Sequence, residues 1–351
     1  MKQYTRLFIV ILISVLLFSL TSSCDSCNKK SKNNKFEKVI HKNIPIVEKE
    51  EIDTFQLNIY RYEQALFKLD PVNPKPGLEK IKKDYLFFLD GDLNDPVNIS
   101  QIKSFINDPV LKHAYNDINK IYGNNLFFKE PLKYSLLRYK KIIKEAKIPK
   151  VYTYISGFLY EKPVIFLDSV LIIGLDCYMG KNYKLYSQMK IPAYSSIFMQ
   201  KEYIVRDCMF AIGEKSVPQP DKSKTLLDLM IYRGKILYFT DLVLENTPDS
   251  VKIKYTSSQL DWCIRNEANI WAFFIEKNIL FSKDHETARK FLADGPFTSV
   301  FTKNSPARTG EYIGWQIVRT FMKKNPEMSF KDLIKQDAQK ILNESSYKPK
   351  R

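Results

Sequence analysis

Apolar residues recur along this chain in two rhythms, and the switch between them organises it. From 53 to 69, Phe55, Ile59, Tyr62, Leu66 and Phe67 follow a helical spacing, or a strand and then a helix. Pro71, Pro74, Pro76 and Gly77 break the pattern. Residues 78–147 alternate short helical patterns with proline and glycine breaks. Within them Leu136, Leu137, Tyr139, Ile142 and Ile143 form an amphipathic stripe that ends before Pro149. At 150 the character changes. Val151 to Ile155, Val164 to Leu167 and Leu171 to Leu175 are β-branched and aromatic runs, which predict two or three strands of a small sheet.

From about 200 the pattern is helical again. Tyr203, Ile204, Met209, Phe210 and Ile212 mark one helix, stopped by Pro218 and Pro220. Leu226 to Leu244 is a long apolar-rich helix with Gly234 inside it. Thr256 and Gln259 form a candidate capping box for a helix carrying Cys263, Ile264, Ile270, Trp271 and Phe274. Ile313, Ile317, Val318 and Phe321 give another apolar face. Ser329 and Asp332 cap a last helix with Leu333, Ile334, Ala338, Ile341 and Leu342 on one side. The fold expected is α+β, predominantly α, with a small mixed β-sheet packed on helices.

The N-terminus changes the cellular picture. Lys2 and Arg6 precede an apolar run from Leu7 to Leu20, then Thr21, Ser22, Ser23 and Cys24. A basic start, a short apolar segment and a small-residue zone describe an export signal, and the run is shorter than the roughly 20 residues of a membrane span. Cys24 stands where a bacterial lipoprotein is cut and acylated. The expected organisation is a signal peptide over 1–23, a lysine-rich flexible tether over 24–50, a helical region over 51–149, and a sheet-plus-helices region over 150–351. Order is expected from near Ile52.

Composition and charge narrow the function. The chain has 351 residues, a net charge of +16, and 23 Phe and 21 Tyr, enough apolar surface for a large core. The basic residues are spread among acids rather than striped, and an exported protein does not meet nucleic acid. Anionic lipid or acidic glycan surfaces are the partners that such a charge admits. Cys177, Cys208 and Cys263 are odd in number, far apart and flanked by apolar residues, so they read as buried thiols.

The chain has three histidines, His41, His113 and His285, too scattered for the usual metal or nucleophile arrangements. His285-Glu286-Thr287-Ala288-Arg289 begins like a zinc-protease helix, but Arg289 stands where the second His is needed. Asp168 and Asp176 flank an apolar strand and are weighed as an acid and base pair. Glu267 lies in an apolar helix near Trp262, Trp271 and Phe273, so its carboxylate needs a partner. Arg308 and Arg319 are the expected ones.

Several stretches resemble the gliding-motility lipoprotein GldB family. They are 164–176 followed by Tyr178-Met179-Gly180-Lys181, then Gly234 to Tyr238, Asn266 to Trp271, Tyr312 to Arg319, and Ser346 to Lys350. The resemblance implies an envelope lipoprotein needed for gliding, with its body on the periplasmic side. Its implied partners are the membrane, through the N-terminal lipid, and other gliding or secretion machinery proteins. It further implies a degenerate zincin-like metallopeptidase fold, in which Tyr203 to Lys215 stands for the metal-binding helix and the helix with Glu267 for the later one. Met209, Phe210 and Ala211 cannot replace imidazoles on a divalent ion. The expectation is therefore a noncatalytic scaffold or binding component without metal or cofactor, with Glu267, Arg308 and Arg319 as a vestigial pocket. The rivals are an envelope metallohydrolase and a binder of anionic lipid or glycan surfaces.

Overall fold

The computed structural model describes residues 46–349 except 124, 222 and 223. The signal-peptide and Cys24 readings, His41, and the tether up to residue 45 lie outside the described residues. Helix α1 (Lys49–Thr54) begins slightly before Ile52, because the Glu48 backbone N–H donates to Glu51 Oε2 at 2.9 Å and closes a capping box.

Strand β1 (Ile59–Arg61) leads into α2 (Tyr62–Phe67). Helices α3 (Lys75–Ile81), α4 (Pro96–Asn107), α5 (Pro109–Tyr122) and α6 (Lys129–Ile142) follow. Asp95 and Asp108 cap α4 and α5, each with proline in the first turn. Strands β2 (Lys150–Tyr154), β3 (Val164–Leu167) and β4 (Val170–Gly174) complete a four-stranded sheet in the order β1-β2-β4-β3. β1, β2 and β4 are parallel, and β3 runs antiparallel to β4 at an edge. The continuous apolar run of β4 follows from burial on both faces; Leu171, Ile172 and Ile173 are all buried.

After β4 come α7 (Lys184–Gln188), α8 (Ala193–Ser196), α9 (Ile204–Ser216) and α10 (Leu226–Val243). Then follow α11 (Asp249–Ile253), α12 (Ser257–Glu276), α13 (His285–Leu292) and α14 (Thr309–Lys324). The Thr256–Gln259 capping box of α12 forms as expected. The last expected helix is two, α15 (Phe330–Leu333) and α16 (Ala338–Ser345). Asp337 explains the break: its carboxylate accepts from the backbone N–H groups of Gln339 and Lys340 and so starts a new helix.

The helical core centres on α10 packed against α14. Their backbones meet at glycines: a Cβ on Gly314 would lie 1.9 Å from the Met230 carbonyl oxygen, and one on Gly234 would lie 2.4 Å from the Gly314 carbonyl oxygen. Beside this contact a polar network is buried. Arg319 donates to both oxygens of Asp241 and to Asp249, while Trp315 Nε1 and Lys252 Nζ also donate to Asp241. All described residues fall in one compact unit. Among them no helix is long and apolar enough to cross a membrane.

Candidate functional site

A cavity of about 600 Å³ lies between the β3 edge, α9 and the start of α14. The amphipathic pattern of α9 places it. Ile204, Cys208, Met209 and Ile212 are buried. Arg206, Asp207, Phe210, Ala211 and Glu214 line the cavity, a recurrence of three and four residues that marks one helix face. Tyr160 to Val164 border it from the sheet side, with Tyr194, Phe198 and Tyr255 as further aromatic walls. Arg233 reaches it from α10, and Arg308 and Glu311 from the start of α14.

Its charged groups pair with one another. Asp207 accepts from Tyr178 Oη at 2.8 Å, Lys254 Nζ at 2.9 Å and Arg206 Nη1 at 3.0 Å. Burial alone would push its carboxyl up, but the Lys254 and Arg206 cations outweigh it and hold the pKa below the usual value. Arg206 also stacks its guanidinium 4.1 Å from the centre of the Phe210 ring. Glu214 Oε1 accepts from Arg233 Nη1 at 2.7 Å. Arg308 donates to Glu311 Oε2 at 3.1 Å and forms an ion pair with Asp294 at 2.8 Å. Its left-handed backbone, φ 56°, sits at the N-cap of α14 and turns the side chain between these acids.

Glu311 is paired at one of its two oxygens alone. It is 2% exposed, and its Oε1 has no hydrogen-bond partner. An open acceptor this deeply buried is costly unless something fills it. Cys177 also borders the cavity, but burial pushes its thiol well above the usual range, so it is held as the thiol and not the nucleophilic thiolate.

The expected pocket of Glu267, Arg308 and Arg319 is not one site. Glu267 accepts from the hydroxyls of Tyr312 and Tyr347, each at 2.6 Å, not from an arginine. The arginines are already committed: Arg319 to Asp241 and Asp249, and Arg308 to Glu311 and Asp294. Of the three, Arg308 alone borders the cavity. Asp168 and Asp176 are also separated, at opposite ends of β4. Asp168 is exposed in the β3–β4 turn, while Asp176 is buried and accepts from the Ser156 and Phe158 backbones. His113 pairs with Asp117 on the outer side of α5, and His285 is exposed at the start of α13. Cys177, Cys208 and Cys263 are buried free thiols. Among the described residues no three His, Cys, Asp or Glu side chains group to hold a metal ion.

The family model described as gliding motility protein GldB matches residues 42–349. The chain belongs to that family. Membership ties this GldB-family protein to gliding motility, and it agrees with the resemblance carried by the sequence stretches. No curated protein and no solved structure matches the chain. The residues that build the cavity of this GldB-family chain, Asp207, Glu214, Arg233 and Glu311, were not singled out by the sequence. A usable signal existed for one of them: Glu214 stands four residues after Phe210 on the helix that lacks imidazoles.

Proposed function

We propose that this protein is a lipid-anchored envelope component of the gliding machinery that works by binding in its cavity, on a peptidase-like scaffold that performs no catalysis. One observation carries the reading. Phe210, Ala211 and Glu214 occupy positions i, i+1 and i+4 of α9, and all three face the cavity. In a zinc peptidase helix those positions hold the first histidine, the catalytic glutamate and the second histidine. A metal centre of that kind does not fit these side chains. Phe210 has no donor atom, Ala211 has no carboxylate to activate water, and Glu214 is paired with Arg233.

On this reading the chain has a cleft without a metal centre of the two-histidine kind, and a fold by itself confers no activity. The export-type N-terminus with Cys24 supports acylation, which ties the body to a membrane with its cavity on the periplasmic side. Other proteins of the gliding or secretion machinery are the partners this reading gives it. Ala211→Trp tests it by filling the cavity from a half-buried position. A deletion strain complemented with this variant, at normal protein level and melting temperature, is expected not to spread. Full spreading would contradict the reading.

A further inference from the structure

The open edge of β3 and the unpartnered oxygen of Glu311 meet at the same cavity, and together they specify a ligand. β3 is an edge strand, paired only on its β4 side among the described residues. The Gly174 N–H donates to the Pro163 carbonyl at 2.8 Å, which fixes which residues of β3 face β4. Antiparallel pairing alternates residue by residue. With Pro163, Ile165 and Leu167 turned toward β4, the N–H and C=O groups of Val164 and Phe166 point outward. Val164 and the preceding residues 160–163 line the cavity.

We infer that the cavity takes an extended peptide segment of a partner protein, which pairs with the outward backbone of Val164 and Phe166 and gives a neutral donor to Glu311 Oε1. This deepens the binding reading above and rests on it. The charges of the cavity favour an uncharged donor. Asp207, Glu214 and the second oxygen of Glu311 are each paired with a cation already, and a cationic ligand group would approach Arg308 and Arg233. The mode is strand addition: backbone hydrogen bonds hold the segment, and a pocket beside them selects a side chain. A hydroxyl or an amide side chain, or a backbone N–H, satisfies Glu311.

The full-length protein, purified in detergent, is used to select ten-residue peptides from a random displayed library, and an enriched peptide is synthesised and titrated. Bound peptide is expected to slow amide exchange at Val164 and Phe166. Val164→Pro removes one outward N–H without touching the ladder to β4, since proline is tolerated on an open edge. It is expected to weaken binding about tenfold, as is Glu311→Gln, the loss of about one hydrogen bond each. Failure to enrich any peptide overturns the inference. So does binding that leaves amide exchange at Val164 and Phe166 unchanged and resists both substitutions. Exchange is read on the unmodified chain, so a misfolded variant does not remove the test. Spreading of the Ala211→Trp strain is a separate readout; its persistence strikes the binding reading and leaves a measured peptide complex standing.

Discussion

Arg233 on α10 donates to Glu214 on α9 over 2.7 Å, so a guanidinium stands against a carboxylate that lines the cavity. The charge of Glu311 also acts on Arg233. A fixed cation between two carboxylates does electrostatically part of what a bound divalent ion would do. It holds the acids together without an exchangeable site, and it cannot polarise a water as a metal does.

That relationship makes the scaffold testable. The triple variant Phe210→His, Glu214→His, Arg233→Ala sets two imidazoles on one helix face, with Glu311 as a third donor. It is expected to bind one zinc ion per chain by calorimetry. No heat beyond that of the unmodified chain would count against the peptidase-like assignment of α9.

Gly314 gives a prediction about packing. The Cβ of Gly314→Ala would fall 1.9 Å from a backbone oxygen, which cannot move aside as a flexible side chain could. α10 and α14 must separate, at a cost of about 3 kcal/mol or more. Chemical denaturation reads this loss; a change within about 0.5 kcal/mol would mean that the two helices yield easily.

The Asp241 network predicts a second large loss. Asp241→Asn keeps the shape and removes the charge that faces Arg319 and Lys252, both buried. Leaving such cations short of a partner costs about 3 kcal/mol. Arg319 retains Asp249. Arg319→Met, which removes the buried cation together with its need for a partner, is expected to cost less when combined with Asp241→Asn than the two single losses added. A double-mutant cycle showing simple additivity would refute the coupling.

Lys235 predicts a pH dependence. It is buried in α10, and its Nζ donates to the carbonyls of Ile334 at 3.2 Å and Gln336 at 2.7 Å. Burial lowers its pKa from 10.5 to about 8. Below pH 8 both folded and unfolded chains hold the proton, and the folded state bears the full cost of the buried charge. From about 8 to 10.5 the unfolded chain keeps a proton that the folded chain has released, so stability rises with pH across that window. Relative to Lys235→Met, the unmodified chain is expected to gain up to about 3 kcal/mol by pH 10.5. A flat difference between the two proteins would show that Lys235 titrates normally.

The elements were legible where local chemistry fixes them. Val151, Ile172 and Ile173 announce strands by β-branching, and Thr256 with Gln259 announces a helix start by its own hydrogen bonds. The α15–α16 break was not read, because Asp337 competes as a cap within an otherwise continuous apolar rhythm. Periodicity shows that Phe210 and Glu214 share a face, but not that this face meets Arg233 and Glu311, which are supplied by distant segments. Glu267 was correctly seen to need partners. Their identity was missed because phenol hydroxyls satisfy a half-buried carboxylate without carrying charge, and nothing local distinguishes Tyr312 or Tyr347 for that role.

The central claim, binding without turnover, is tested most directly on one preparation of the full-length protein, purified without chelator. Metal content is measured alongside cleavage of a fluorogenic peptide mixture, with and without added zinc. The expected result is metal far below one ion per chain and no cleavage above buffer. Stoichiometric zinc, with peptide cleavage that disappears in Glu311→Gln, would contradict it.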